Sequence, residues 1–141
     1  MQIINPASLG TPSGYSNGIR VDGGSLVFVA GQVAWDRDHR IVDERFAVQF
    51  GQALDNVIEV VREAGGEAAS IAKLTIFVAN KDEYVAQRRE VGAEYRRRMG
   101  RHYPAMSLVE VQALLEPGAK VEIEALAVVA PGTGAAAPGE G

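Results

Sequence analysis

Two glutamates towards the C-terminal end of the chain have the spacing of a catalytic pair. In "KVEIEALAV", Glu122 and Glu124 stand two residues apart in a segment that reads as a β-strand, so both side chains project from the same face. Val121, Ile123 and Ala125 face the other way. Neighbouring carboxylates can act as a general acid and base, but they are also common on solvated strand faces and in surface salt bridges. The residues alone leave both interpretations open.

The other polar candidates give weaker indications. Tyr15 lies in "TPSGYSNG", a glycine-rich arm that could fold over a ligand, although a single loop tyrosine more often packs or hydrogen-bonds. The two histidines, His39 and His102, are far apart in the sequence, and the chain has no cysteine. Ser107 has no histidine at a spacing that suggests a base. We therefore predict no metal site and no nucleophilic triad.

Composition narrows the class of protein. The chain has 141 residues, 47% of them hydrophobic and 23% charged, with a net charge of -4, as expected for one globular domain with its own core. A basic helix around Arg88, Arg89 and 96–98 lacks interleaved aromatic residues, so a solvated face is favoured over an RNA groove, and nucleic acid is an unlikely partner. No signal sequence or membrane-spanning run is visible, which predicts a cytoplasmic protein without a membrane partner. We expect one domain over 1–130 and a disordered tail over 131–141.

The elements that must position these side chains follow from periodicity. Apolar residues recur every three or four positions in the predicted helices, and β-branched and aromatic runs mark the strands. The order β-β-α-β-α-β-β implies an α/β (α+β) fold, a mixed sheet with two helices on one face. After an irregular arm of about ten residues, we predict a β-hairpin of Ile19–Asp22 and Leu26–Ala30 with its turn at Gly23–Gly24, then a helix over 44–64 and a strand over 71–80. A second helix follows, N-capped by Asp82, with its inner face formed by Tyr84, Val91, Tyr95 and Met99. The last two predicted strands are Ala105–Ala113 and Lys120–Val129.

Two strands predict an oligomer. Residues 26–30 and 74–79 are apolar at nearly every position rather than at alternate ones, a pattern typical of strands covered on both faces. Two helices cover only one face of the sheet. The second face is therefore expected to meet another copy of the chain in a closed homo-oligomer.

Five segments, taken together, resemble a known family. "VFVAGQVAWD", "QALDNVIEVVREAGG", "IAKLTIFVANKDEY", "YPAMSLVEV" and "GAKVEIEALAV" occur in the order and spacing of the Rid family, the YjgF-like reactive-intermediate deaminases, over roughly residues 12–129. The resemblance implies a chorismate-mutase-like fold, a homotrimer and a ligand cleft at each subunit interface. Archetypal members hydrolyse 2-imino acids, such as 2-aminoacrylate, to 2-keto acids and ammonia without a cofactor. Other members have been called endoribonucleases or translation inhibitors.

The resemblance also implies roles for individual residues. The family's cleft tyrosine falls on Tyr15, and the glutamate that positions the attacking water falls on Glu122. The family's "SGQ" corresponds to Ala30-Gly31-Gln32, with alanine in the first position. An asparagine of the second helix falls near Arg88 or Arg89, where this sequence departs from the family.

The largest departure is at the start of the strand predicted over Ala105–Ala113. Archetypal deaminases read "PARS", whereas this chain reads Pro104-Ala105-Met106-Ser107-Leu108, so the arginine that clamps the substrate carboxylate is replaced by Met106. Each lost charged hydrogen bond removes about 1.5–3 kcal/mol, and a thioether supplies only apolar contact. The residues expected to bind substrate are Gly31, Gln32, Met106, Ser107 and Leu108, together with three candidate replacement cations, Arg20, Arg101 and Lys120.

Three functions remain open at this stage. The cleft could hydrolyse an imine or enamine, as in the 2-iminobutanoate/2-iminopropanoate deaminases, with Glu122 and Tyr15 as catalytic residues. It could instead belong to a metabolite-binding or regulatory relative without catalysis. An endoribonuclease is the third alternative, disfavoured by the net negative charge.

Overall fold

Six strands and three α-helices make up residues 1–131, the part of the chain that the computed structural model describes. Short 3₁₀ turns occur at Ala7–Leu9 and Ala68–Ser70. The elements in chain order are β1 (Gln2–Ile4), β2 (Gly18–Arg20), β3 (Ser25–Gln32), α1 (Phe46–Glu63), β4 (Ile71–Val78), α2 (Lys81–Ala86), α3 (Arg88–Met99), β5 (Ala105–Glu110) and β6 (Val121–Val129).

Four of the strands form one mixed sheet in the order β3-β6-β4-β5. β6 runs antiparallel to both of its neighbours, whereas β4 and β5 are parallel. A parallel pair requires a crossover, and α2 and α3 supply it. The mixed α/β fold predicted from the sequence is confirmed.

The core lies between one face of this sheet and the helices α1 and α3. The predicted helix over 44–64 is confirmed at Phe46–Glu63, and its apolar stripe is buried. The chain leaves α1 through Gly65, whose φ of +96° favours glycine. The largest fully buried apolar side chains are Phe46, Leu54, Ile58, Ile71, Leu74 and Ile123.

A buried glutamine joins α1 to the start of β6. The side chain of Gln49 is fully buried, and its Nε2 donates to the carbonyls of Asp43 (2.8 Å) and Gly118 (3.0 Å). Its Oε1 accepts from the backbone N–H of Lys120 at 2.9 Å. All of its hydrogen-bonding groups are thus used, as burial requires, and they fix the loop that leads into Glu122.

The opposite face of the sheet is open in the single chain. On β3 it presents Leu26 and Phe28, which are 59% and 76% exposed. On β4 and β6 it presents Phe77 beside Glu122, in register. Large apolar side chains on an open sheet face are typical of interaction surfaces, and the contact of this face with another copy of the chain stays a prediction.

Two predictions about the N-terminal part of the chain are wrong. β2 does not form a hairpin with β3: it pairs with β1, with Gln2 opposite Arg20, and β3 pairs with β6. The turn at Gly23–Gly24 does exist, with φ values of +83° and +100°. It packs against β6, however, because a Cβ on Gly24 would lie 2.6 Å from a side-chain carbon of Val128. The first ten residues, predicted to be irregular, contain β1 and a 3₁₀ turn.

The second predicted helix is divided into α2 and α3. The break lies at Gln87, whose side-chain oxygen accepts from the backbone N–H of Ala47 at 3.0 Å and so caps the first turn of α1. The N-cap of α2 is Asn80 rather than Asp82, and its side chain accepts from the N–H of Asp82 at 2.9 Å. Val91, the first predicted inner position of α3, is buried as expected.

The last two strands are shorter than predicted. β5 ends at Glu110 rather than Ala113, and its side chain accepts from the backbone N–H of Lys81 at 2.9 Å. β6 begins at Val121, one residue after the predicted start. The tail predicted for 131–141 lies outside the described residues, apart from Pro131.

Candidate functional site

One candidate group lies on the open face of the sheet, at Glu122. β6 alternates strictly, so Val121 and Ile123 enter the core while Glu122 remains half-buried on the other face. A Cβ on Gly31 would lie 2.1 Å from Glu122 Oε2 and 2.8 Å from Cδ. The carboxylate therefore lies directly against the backbone of Gly31, in a space that only glycine leaves open. Within residues 1–131, no hydrogen-bond donor or cation of the same chain pairs with it.

A second candidate group lines a cleft on the helix-covered side of the sheet, between β5 and α3. The cleft has a volume of about 560 Å³, and its lining includes five aromatic side chains, those of Tyr15, Phe50, Tyr84, Tyr95 and Tyr103. Met106 and Leu108 form its floor, because they stand beside the core residues Leu74 and Ile76 of β4. Tyr15 covers part of its mouth.

The N-terminal arm holds Tyr15 in this place through its neighbours. The Ser16 N–H donates to the carbonyl of Pro104 at 3.1 Å, and the Ser16 hydroxyl donates to the carbonyl of Tyr103. Ser16 is buried, and it forms an isolated parallel bridge with Ala105. The arm therefore runs alongside the first residue of β5, which brings Tyr15 to the same cleft as Met106.

The predicted site residues thus fall into two groups on opposite faces of the sheet. We call Glu122 with Gly31 the carboxylate half-site, and Tyr15 with Met106 and Leu108 the cleft half-site. The sheet separates the two within one chain. A single reaction centre that uses both must take one half from each of two copies.

The remaining predicted substrate-binding residues lie away from the cleft. Ser107 is exposed on the open face, beside Thr75, and the Gln32 side chain donates to the carbonyl of Ala30 at 3.1 Å.

The three candidate replacement cations also lie elsewhere. Lys120 Nζ lies 2.9 Å from a carboxylate oxygen of Glu83. Of the other two candidate cations, Arg20 pairs with Asp22 at 3.4 Å and Arg101 is exposed. Arg20, Arg101 and Lys120 do not line the cleft.

Two arginines that the sequence did not single out for this role do line the cleft. Arg88 and Arg96 project from α3 at its rim, and Arg89 does not. Their spacing of eight residues places them on one side of a helix, which is the sequence signal that identifies them as a pair.

The cleft wall behind them contains two stacked tyrosines. Tyr95 stacks on Tyr103 with ring centroids 5.3 Å apart, and its hydroxyl donates to the carbonyl of His102 at 2.6 Å. Burial raises the pKa of Tyr95, and the neighbouring Tyr103 hydroxyl raises it further, so this phenol stays protonated. His102 Nε2 lies 2.7 Å from the carbonyl of Ile71, which fixes the loop before β5.

Residues 1–131 contain no metal-binding cluster and no membrane-spanning helix. This part of the chain contains no group of three or more His, Asp or Glu side chains placed to hold a metal ion. None of its helices combines the length and apolar character needed to cross a bilayer.

Comparisons of sequence and of structure with known proteins point to the same family. The family model for endoribonuclease L-PSP matches residues 6–129. The 2-iminobutanoate/2-iminopropanoate deaminase of Salmonella typhimurium is 37% identical over 126 residues, covering 87% of this chain and 91% of that protein. The crystal structure of YyfB from Yersinia pestis, a Rid-family protein of unknown function, superposes with a TM-score of 0.78 at 34% identity, covering 91% and 98% of the two chains. Escherichia coli TdcF with bound serine gives a TM-score of 0.65 at 30% identity, covering 84% and 91%.

Proposed function

Because this chain belongs to the endoribonuclease L-PSP family, which includes the Rid proteins, we propose that it hydrolyses reactive imines of the 2-imino acid class. The products are a 2-keto acid and ammonia. The observation that carries the proposal is the half-buried Glu122 carboxylate, which is held against Gly31 and has no partner within residues 1–131. The names of the similar deaminases support the same reaction class.

The carboxylate half-site suits the hydrolytic step. A water that donates a hydrogen bond to Glu122 is oriented for attack on the imine carbon, and the carboxylate accepts its proton as the C–O bond forms. Returning that proton to nitrogen gives a carbinolamine. The carboxylate then accepts the remaining hydroxyl proton of the carbinolamine and passes it to the amine as the C–N bond breaks, which releases ammonia. The water oxygen remains as the carbonyl of the keto acid, so atoms and charge balance without a redox partner.

The proposed reaction centre lies between copies of the chain. The carboxylate half-site lies on the open face with Phe28, whereas the cleft half-site opens on the other side of the sheet. Burying the open face against a second copy removes apolar surface from water and brings a neighbouring Glu122 towards the cleft. In a closed ring of three copies, the open sheet face of each copy is covered by a neighbour, in agreement with the homotrimer that the family resemblance implies.

Met106 favours a second candidate function, a metabolite-binding protein without catalysis. The side chain at this place in β5 has neither a charge nor a hydrogen-bond donor, and Leu108 makes the floor still more apolar. A cleft that holds its ligand without orienting a carboxylate would bind a metabolite and leave it intact.

The test is hydrolysis of imines generated in place by an amino-acid oxidase from several amino acids. Semicarbazide traps any imine that the protein leaves, so the rate of semicarbazone formation reports the activity. We expect wild type to suppress trapping and Glu122→Gln to lose at least 100-fold in rate, as for loss of a general base. Glu124→Gln is the matched control, because Glu124 is on the same face of the same strand but exposed.

The outcomes separate the two candidates. An inactive wild type together with an active Met106→Arg would show that the scaffold is competent and that this chain binds rather than hydrolyses. Wild-type activity that survives Glu122→Gln would refute the proposed role of that carboxylate.

A further inference from the structure

The five arginines of α3 differ in whether they have an acidic partner. Arg97 pairs with Glu94, and Arg98 pairs with Glu94 at 2.7 Å and with Asp55 of α1 at 2.6 Å. Arg88 and Arg96, the two that line the cleft, form no ion pair with any carboxylate of residues 1–131. Two guanidinium groups at the rim of one cleft therefore have no carboxylate partner within residues 1–131 of their own chain.

The backbone of α3 lets both groups lie towards the cleft. Arg88, Gly92 and Arg96 follow one another at intervals of four residues, so they form one stripe along the helix. Arg96 Nη1 lies 3.1 Å from the place that a Cβ on Gly92 would take, so the missing side chain leaves room for this guanidinium. The Arg88 guanidinium lies over the Tyr84 ring, 5.7 Å from its centroid.

The rest of the cleft is apolar and aromatic. Its walls include the rings of Tyr84, Tyr95 and Tyr103, and its described lining contains no carboxylate. A guanidinium beside such a low-dielectric wall attracts an anion more strongly than one in open water. The volume of about 560 Å³ lies in the range of clefts that enclose ligands much larger than a three-carbon acid.

We propose that Arg88 and Arg96 form a carboxylate clamp for a ligand with a bulky, preferably aromatic, side chain that fills the Tyr-lined cleft. The inference rests on the proposed function in that it assigns the substrate class of the same site. The clamp lies on α3 instead of β5. Met106 then contacts the ring of the ligand, since a thioether packs favourably against an aromatic edge.

The inference is tested by calorimetric binding of a stable probe, 3-phenylpropionate. Two further probes each lack one feature: 3-phenylpropionamide has no charge and propionate has no ring. We expect 3-phenylpropionate to bind at least tenfold more tightly than either. Arg88→Gln and Arg96→Gln should each weaken its binding about tenfold, as for loss of a charged hydrogen bond.

Arg89→Gln is the matched control, because it removes the same charge from the same helix at a residue that does not line the cleft. Its affinity for 3-phenylpropionate should stay within about twofold of wild type. Equal weakening by all three substitutions would reduce the effect to general electrostatics and overturn the clamp. Equal binding of the acid and the amide, no binding of the acid, or equal binding of propionate would also overturn the proposal.

The binding assay does not depend on turnover, so the two proposals fail separately. A protein that binds 3-phenylpropionate through Arg88 and Arg96 but hydrolyses no imine keeps the clamp and loses the enzymatic proposal. A protein that hydrolyses imines while both glutamine variants keep wild-type affinity and KM keeps the enzyme and loses the clamp.

Discussion

Replacing Gly31 by alanine should reduce activity far more than stability. The new Cβ would lie 2.1 Å from Glu122 Oε2 and 2.8 Å from Cδ, both well inside van der Waals contact, so the carboxylate must move by an ångström or more. Displacement of a catalytic group by about 1 Å can lower the rate roughly 100-fold. The free energy of unfolding should change by less than about 1 kcal/mol, because the far end of a glutamate can rotate away.

The Gly31→Ala substitution should introduce no backbone strain. Gly31 is absent from the residues with positive φ, so alanine can adopt its conformation. The matched control is Gly18→Ala, where the new Cβ makes only ordinary contacts with Ile4, at 3.6 Å. We expect the control to keep wild-type kcat/KM in the imine assay.

The assay is imine hydrolysis and thermal denaturation on the same preparations. Activity of Gly31→Ala within twofold of wild type, with Glu122→Gln inactive, would refute the argument that Gly31 sets the position of the carboxylate. A fall in activity that merely follows a large fall in Tm would refute the separation of function from stability.

Three further predictions concern stability and assembly. Gln49→Leu should lower the free energy of unfolding by about 3 kcal/mol, measured by urea denaturation, because it leaves the Lys120 N–H and two carbonyls without their partner. Burial raises the pKa of Glu94, but the Arg98 and Arg97 guanidinia lower it more, and the net pKa is below the usual 4.5. The ionised Glu94 therefore stabilises the fold above about pH 4.5, and this contribution is lost as the pH falls. Between pH 6 and pH 3.5, Tm should fall less in Glu94→Gln than in wild type. An equal fall in both proteins would contradict the stabilising role of the Glu94 ion pairs. Phe28→Asp should convert the proposed assembly of three 15.0 kDa chains into single chains in analytical ultracentrifugation, and an unchanged mass would exclude the open face as the interface.

The strands and helices were predictable where one physical rule dominates. Alternation along β6 correctly separated Glu122 from Val121 and Ile123, because a strand that lies over a core has to alternate. Prediction failed where distant residues compete for the same backbone or side chain. The turn at Gly23–Gly24 is compatible with a hairpin, but β3 pairs with β6 instead of β2. The residues around the turn do not indicate this long-range pairing.

The break at Gln87 has the same kind of cause. Its own sequence continues a helical pattern, and the side chain is diverted to cap Ala47, forty residues away. The free energy gained by satisfying a buried backbone N–H in the first turn of α1 offsets the loss of regular helix between α2 and α3. Helix propensity depends on neighbouring residues, so it does not predict this hydrogen bond between Gln87 and Ala47.

The sequence partly predicts which arginines of α3 have an acidic partner. On a helix, residues three or four apart are neighbours, so Glu94 is within reach of Arg97 and Arg98. Arg96 has Gly92 and Ala93 at the corresponding positions, and so is left without an acidic neighbour. Spacing alone therefore shows which arginine of the 96–98 run is unpaired. The existence of an aromatic cleft beside it depends on the parallel crossover from β4 to β5, which only the fold supplies; charge pairing and topology together, and neither alone, place an anion site on α3.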